Sequence, residues 1–308
     1  MAHPTHLDPS ELGTKEYWDK YYQNDLDQQH QDRSEVDEDA ADDDDDDTEE
    51  TELPDPSDLE SWFDDVGAPA KTLEFLTSET FPLSPNYAGG DDDEDGDGDH
   101  QLSVLDLGTG NGSALFALRL EGEYTGRMVG VDYSSRSIEL ARKLHRQYFP
   151  PSSMAGSNTE KKEENDMTFE ILDLVNDTPS TKPWWPVSEG GFDLVLDKGT
   201  FDAISLSSTT MTDPTTGKDR RMCEFYPAKI LDMVRPSGFL LITSCNWTEE
   251  EVVSWFTGAQ TSNDGTSSTA RFVVHDRIKY PVFEFGGQKG QGVASVCFKK
   301  IQEPTSSR

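Results

Sequence analysis

The residues with most to say about chemistry lie in one segment, Val104-Leu105-Asp106-Leu107-Gly108-Thr109-Gly110-Asn111-Gly112. Gly108, Gly110 and Gly112 follow a short apolar run and precede the helix-forming stretch Ser113 to Leu120. Such a strand-to-helix turn needs residues without a Cβ, so that the backbone can approach a ligand closely. In a dinucleotide-binding fold the same turn holds a pyrophosphate at a helix N-terminus. Here Asp106 stands just before the glycines, and a carboxylate suits a ligand with a positive amino group better than one with phosphates. Asp132 ends the next strand, 24 residues after Gly108, where a carboxylate reaches ribose hydroxyls.

A ligand with a ribose, an amino group and further positive charge is S-adenosylmethionine, and it is the cofactor these residues imply. Asp106, Gly108, Thr109, Gly110, Asn111 and Gly112 are expected to contact it, together with Asp132 and Tyr133. Asp173 follows the third strand, where a polar side chain meets the adenine amino group, and Leu174 goes with it. The alternative for Asp173 is an ordinary loop carboxylate or helix cap. A nicotinamide-dependent dehydrogenase has a similar glycine fingerprint. The position of Asp106 and the antiparallel finish of the sheet disfavour it.

The elements that must position these residues follow from hydrophobic periodicity. Strands are expected at Leu102–Leu107, Met128–Val131, Thr168–Leu172, Phe192–Leu196 and Gly238–Thr243, with helices at Ser113–Leu120, Ser134–Tyr148, Asp219–Val234 and Glu249–Phe256. Strands interleaved with helices mean an α/β fold with a parallel sheet covered on both faces. Phe272–Lys279 and Val293–Lys299 lack an intervening helix and read as an antiparallel edge. The fold expected is therefore a Rossmann-like, mostly parallel seven-stranded sheet with an antiparallel edge strand. Ahead of it, Thr14 caps a short helix carrying Tyr17, Trp18, Tyr21 and Tyr22, paired at i, i+4. That helix either packs on a domain edge or covers the cofactor. A further helix is expected over Lys71–Thr80.

Composition sets the boundaries of the domain. Hydrophobic residues make up only 33% of the 308, and the deficit is local. Eighteen acidic residues fall between Glu35 and Asp65 and seven between Asp91 and Asp99, which leaves 36 acidic against 26 basic residues elsewhere. The expected organisation is a tail and aromatic helix over 1–31, an acidic disordered linker over 32–59, and a single domain over 60–301. That domain is interrupted by an acidic loop at 89–100 and insertions at 150–166 and 257–270, and a tail over 302–308 follows it. A net charge of −35 argues against nucleic acid as a direct partner and suits a basic protein. Three cysteines without metal spacing, six histidines without a triad, and no apolar run of membrane-spanning length point away from metal and membrane. A monomer in the cytoplasm is expected, with the nucleus as the other reducing compartment.

The acceptor is addressed by a second set of motifs. Asp197-Lys198-Gly199-Thr200-Phe201-Asp202-Ala203 follows the fourth strand, beside the methyl-donor end of the expected site. Taken with Leu12-Gly13-Thr14-Lys15-Glu16-Tyr17-Trp18, Ile242-Thr243-Ser244-Cys245-Asn246-Trp247-Thr248 and Phe285-Gly286-Gly287, it resembles the seven-β-strand protein-lysine methyltransferases that modify translation elongation factor 1-alpha. The resemblance covers residues 11 to 22, 60 to 80 and 101 to 300. It implies transfer of a methyl group from S-adenosylmethionine to a lysine ε-amine of that factor. Alternatives of other kinds are a small-molecule methyltransferase of the same fold and a non-catalytic acidic module that only binds the cofactor.

Asp197, ending a strand at the cofactor edge, is the first choice for the carboxylate that orients the amine. Asp202 is the second choice, or else a cap on the segment that follows. Asn246 and Trp247 are expected to line the lysine channel, with simple packing the alternative for Trp247. Lys198 either neutralises Asp197 or points to solvent.

Overall fold

The computed structural model describes residues 6–39, 56, 59–89, 101–150, 166–258, 270–285 and 288–302. The expected acidic loop at 89–100, the insertions at 150–166 and 257–270, the tail at 302–308 and Gly286-Gly287 of the last motif lie almost wholly outside these residues.

In chain order the main elements are α1 (Lys15–Asp39), α2 (Ala68–Leu76), β1 (Ser103–Leu107), α3 (Ser113–Leu120), β2 (Arg127–Asp132), α4 (Ser135–Tyr148), β3 (Met167–Ile171), β4 (Phe192–Lys198) and α5 (Thr200–Ser205). After these come a small hairpin of β5 (Thr210–Thr212) and β6 (Asp219–Arg221), then α6 (Tyr226–Met233), β7 (Val234–Ser244), α7 (Glu249–Thr257) and β8 (Ala270–Ile278). A second hairpin, β9 (Val282–Phe285) with β10 (Gln288–Gln291), precedes β11 (Ala294–Gln302).

Seven strands form one sheet in the order β3-β2-β1-β4-β7-β11-β8. β1, β2, β3, β4 and β7 pair in parallel, whereas β11 runs antiparallel to both β7 and β8. The Rossmann-like architecture expected from the sequence is thus present. Its antiparallel strand is β11, which lies one place in from the edge between β7 and β8.

Alternate residues of each central strand enter opposite cores, as a two-residue side-chain period requires. Leu105, Leu107, Val129, Val131, Val195, Leu240 and Ile242 pack on one face with Phe201, Tyr226 and Phe256. Val104, Met128, Leu194, Leu196, Phe239 and Leu241 pack on the other with Phe116, Ile138 and Phe81. Strand order reverses at β1: the chain first builds outward through β2 to β3, then returns to place β4 on the other side of β1. The carboxyl ends of β1 and β4 therefore border a crevice of the kind in which open α/β sheets bind ligands.

The helix expected over Lys71–Thr80 spans Ala68–Leu76 instead, the two hairpins were not expected, and two further elements differ more. The helix expected over Asp219–Val234 is confined to Tyr226–Met233, because Pro227 sits in its first turn. A proline there spares a backbone donor that needs no partner, whereas the interior of a longer helix would lose a hydrogen bond. The residues before it are drawn elsewhere. Arg221 donates to the carbonyls of Leu7, Ser205 and Ser207, and Arg220 pairs with Asp213 and Glu224. The second difference is α1, which runs on to Asp39 and into the segment expected to be linker.

Candidate functional site

The glycine turn leaves β1 at Gly108 and enters α3 after Gly112. Gly108 and Gly110 adopt φ of 63° and 58°, the left-handed region that side chains disfavour. Crowding makes the requirement stricter. A Cβ on Gly108 would fall 2.0 Å from the Thr200 hydroxyl, and one on Gly110 would fall 2.7 Å from the Tyr22 hydroxyl. The turn is a cradle that any side chain would fill.

Two carboxylates stand beside it. Asp106 is buried and accepts a hydrogen bond from the Thr109 hydroxyl at 2.7 Å. Asp132, also buried, accepts from the Ser134 N–H at 2.9 Å and the Gly110 N–H at 3.3 Å. Burial pushes each up to about 6, against the pull of these hydrogen bonds. At neutral pH both carboxylates therefore keep most of their charge.

A cavity of about 450 Å³ opens from this point, a size usual for small-molecule sites. Gly108, Asp132, Tyr133, Asp173 and Leu174 line one side of it. Asp173 also closes a local turn, accepting from the N–H groups of Val175 and Asn176, which is the loop-carboxylate role expected as its alternative. A smaller adjoining cavity is lined by Asp106, Thr109, Gly110 and Asn111. Tyr22, Trp62, Gly108 and Lys198 line both. Of the expected cofactor residues only Gly112 lines neither. It precedes α3 at φ 87°, with Phe116 and Phe169 occupying the space of a side chain, and its contribution is to the shape of the turn.

The acceptor residues are distributed differently from expectation. Asp197 lines neither cavity. Its Oδ1 accepts from the N–H groups of Thr200 and Phe201, at 2.9 and 3.1 Å, and its Oδ2 from the Tyr226 hydroxyl at 2.6 Å. It is the N-terminal anchor of α5, turned into the core, and burial pushes it up to about 7. Asp202, in the first turn of α5, lines the large cavity. The Ser244 hydroxyl donates to it at 2.5 Å and the Cys245 N–H at 2.8 Å, joining α5 to the end of β7. Burial raises its pKa, and these bonds oppose the rise. Asn246 lines the cavity as expected, whereas Trp247 is buried, stacked on Phe201, with its indole N–H donating to Ser205 at 3.2 Å. Trp247 packs rather than lining a channel. Lys198 faces the Asp106 side rather than Asp197.

The N-terminal aromatic residues complete the wall. Trp18 and Tyr22 stack at 6.1 Å, and Tyr17 and Tyr21 at 6.5 Å, the i, i+4 pairs expected of this helix. Trp18 meets Trp62 edge-on at 5.2 Å and donates to the Leu12 carbonyl at 2.8 Å. Asp19 accepts from the Ser134 hydroxyl at 2.7 Å, tying α1 to the start of α4. Lys15, Trp18, Tyr22, Trp62 and Phe63 all line the large cavity, so α1 covers the site as well as packing on the domain. Of these only the α1 aromatics were marked by their spacing. Trp62, Phe63 and the cavity-lining Ile204, Leu206 and Met222 carry no local signal, since nothing near them in the chain shows that they converge.

Comparison with known proteins agrees with this geometry. Residues 99–287 match the family described as "Methyltransferase domain". The chain is 31% identical over 297 residues to protein-lysine N-methyltransferase EFM4 of Saccharomyces cerevisiae, spanning 96% of each protein. It is 31% identical over 300 residues to efm4 of Schizosaccharomyces pombe, spanning 95% of each. EEF1A lysine methyltransferase 2 of Homo sapiens is 27% identical over 295 residues, 95% of this chain and 88% of the human protein. A methyltransferase domain over more than half of the sequence, and alignment nearly end to end with lysine-modifying enzymes, lead to one conclusion: this chain belongs to the protein-lysine N-methyltransferase family, built on a methyltransferase domain.

Proposed function

We propose that this enzyme transfers the methyl group of S-adenosylmethionine to a lysine ε-amine of translation elongation factor 1-alpha. The observation that carries the reading is the cavity itself, which runs from the glycine cradle and Asp132 to the Asp202 carboxylate. The choice of acceptor draws on relatives that align with 95% of this chain and are named for EEF1A.

The residues present fit the cofactor. Asp106 would hold its ammonium, Asp132 its ribose, and Asp173 with Leu174 its adenine, while Gly108 and Gly110 admit it close to the backbone. Bound there, it supplies a sulfonium methyl group open to in-line displacement. The chain then has to present a neutral amine and keep water out. A free lysine has a pKa near ~10.4, and desolvation in a lined passage lowers it. Asp202 and Asn246 orient the amine by hydrogen bonding. A carboxylate's charge alone favours the protonated lysine, and the burial that raises the pKa of Asp202 moderates this. The lysine gives its proton to water before it enters the lined passage, where desolvation disfavours the charged ammonium.

The net charge of −35 favours a basic protein surface over nucleic acid as partner. No described helix is long and apolar enough to cross a membrane. The three cysteines are free, which suits a reducing compartment, cytosol or nucleus. The working form is taken to be a monomer.

The test is transfer of label from S-adenosylmethionine to purified elongation factor 1-alpha, with the label mapped by mass spectrometry. Label on a lysine, reduced about 10-fold or more in Asp202→Asn by loss of a charge-assisted contact, is the expected result. Cofactor binding without transfer to any lysine would overturn the reading in favour of a non-catalytic module.

A further inference from the structure

The smaller cavity beside the glycine turn has a lopsided charge. Asp25, Glu60 and Asp106 line it, and Lys198 is the only cationic side chain among its described lining residues. Lys198 closes β4, immediately before Gly199, and borders the large cavity too. Its Nζ meets the Trp62 carbonyl at 3.4 Å, a long contact that engages one of three donors loosely. Asp106 and Lys198 act on each other across the cradle. The lysine charge favours the ionised carboxylate, and the carboxylate counters the fall that burial imposes on the lysine pKa.

The amino-acid tail of S-adenosylmethionine is a zwitterion whose ammonium and carboxylate branch from one carbon. A site for it needs an anion and a cation within one small space, with the backbone close by. Asp106, Lys198 and the Gly108–Gly110 cradle between them supply that set. A ligand carboxylate entering among three protein carboxylates is repelled unless a cation offsets them. We infer that Lys198 binds the carboxylate of the cofactor's tail while Asp106 binds its ammonium, which makes Lys198 a cofactor-positioning residue. By holding the tail, Lys198 fixes how far the sulfonium lies from the Asp202 end of the large cavity. This inference rests on S-adenosylmethionine being the cofactor.

Calorimetric titration of the full chain and of Lys198→Gln and Lys198→Arg tests it with three ligands. These are S-adenosylmethionine, decarboxylated S-adenosylmethionine, which keeps the ammonium alone, and 5′-methylthioadenosine, which lacks the tail. Lys198→Gln is expected to weaken S-adenosylmethionine about 10-fold or more, as loss of a charge-assisted contact does. The same variant is expected to leave 5′-methylthioadenosine within about 2-fold, which also serves as its folding control. Lys198→Arg restores most of the affinity. Equal weakening of the parent and decarboxylated cofactors would overturn the inference, since an effect routed through Asp106 strikes both. Unchanged affinity for S-adenosylmethionine in Lys198→Gln would overturn it as well. Failure of the unaltered chain to bind any of the three would instead defeat the cofactor reading on which it rests.

Discussion

Asp106 does its work at a position where ionisation is costly, buried and steadied by the Thr109 hydroxyl. Replacing it with Ala removes the carboxylate proposed to hold the cofactor's ammonium, so affinity measured by calorimetry should fall at least about 10-fold. Unchanged affinity would refute the assignment. Because Asp106 and Asp132 must be ionised to bind, and burial holds both near about 6, affinity should also weaken as pH drops below about 6. The glycine turn allows a complementary test. Gly110→Ala places a Cβ at φ 58° and against the Tyr22 hydroxyl, which should cost about 1–2 kcal/mol from the backbone alone. Tyr22→Phe in the same chain relieves the contact, so the two substitutions should be less damaging together than their sum in urea denaturation. Simple additivity would mean that the contact does not constrain the turn.

Among the elements, α5 is the hinge of the site's logic. Asp197 anchors its first turn and Tyr226 holds Asp197, while Asp202, within that turn, lines the cavity. Asp197→Ala leaves two N–H groups and a buried hydroxyl without their acceptor. Loss of a cap costs about 0.5–2 kcal/mol, and the stranded hydroxyl about 1–3 more. The expected outcome is a clear loss of stability in urea with cofactor affinity nearly intact. A stable variant with abolished methyl transfer would return Asp197 to the reacting centre. The helix α1 sets the opposite wall, with Trp18 stacked on Tyr22, edge-on to Trp62 and bonded to Leu12. Trp18→Ala should loosen α1, read as faster amide hydrogen exchange over residues 10–26 and weaker cofactor binding. Faster exchange at unchanged affinity would show that α1 packs on the domain without closing the site.

The molecule as a whole carries a net charge of −35 and buries carboxylates whose pKa values burial raises above the ordinary aspartate range. Between about pH 4 and the folded values of about 6 for Asp106 and Asp132 and about 7 for Asp197, the folded chain holds protons that the unfolded chain has released. Stability therefore falls as pH rises through that window. Release of self-repulsion at lower pH acts in the same direction. His145 and His275, lowered by burial, act the other way, since the unfolded chain protonates them first as pH falls. The raised carboxylates outweigh the two histidines, so the urea midpoint of the ligand-free protein should be higher at pH 5.5 than at pH 8. A flat or rising profile would count against these shifts. The optimum for stability and that for cofactor binding thus lie on opposite sides of pH 6.

How much of this was legible from the residues depends on the range of the interactions involved. The strand before Gly108, the glycine turn, Asp106 and Asp132 are local, each specified by residues within one strand and one turn of helix. Sequence spacing alone grouped residues that the fold brings to the walls of two adjoining cavities. The parallel sheet and its antiparallel strand were equally readable, from period-two apolar runs and a missing final helix. What spacing could not decide was which carboxylate of Asp197 and Asp202 meets the cavity. Both sit beside the same strand end, and the choice is made by Tyr226, from α6, pulling one inward and by Ser244, from β7, steadying the other at the cavity wall. Tyr22 against Gly110, and Trp62 beside Lys198, likewise join segments far apart in the chain. The sequence by itself determined a cofactor-binding methyltransferase fold, because turns and strand patterns are short-range properties. Only the tertiary structure decided which side chains line the cavity, because that is settled by contacts between elements that no local spacing encodes.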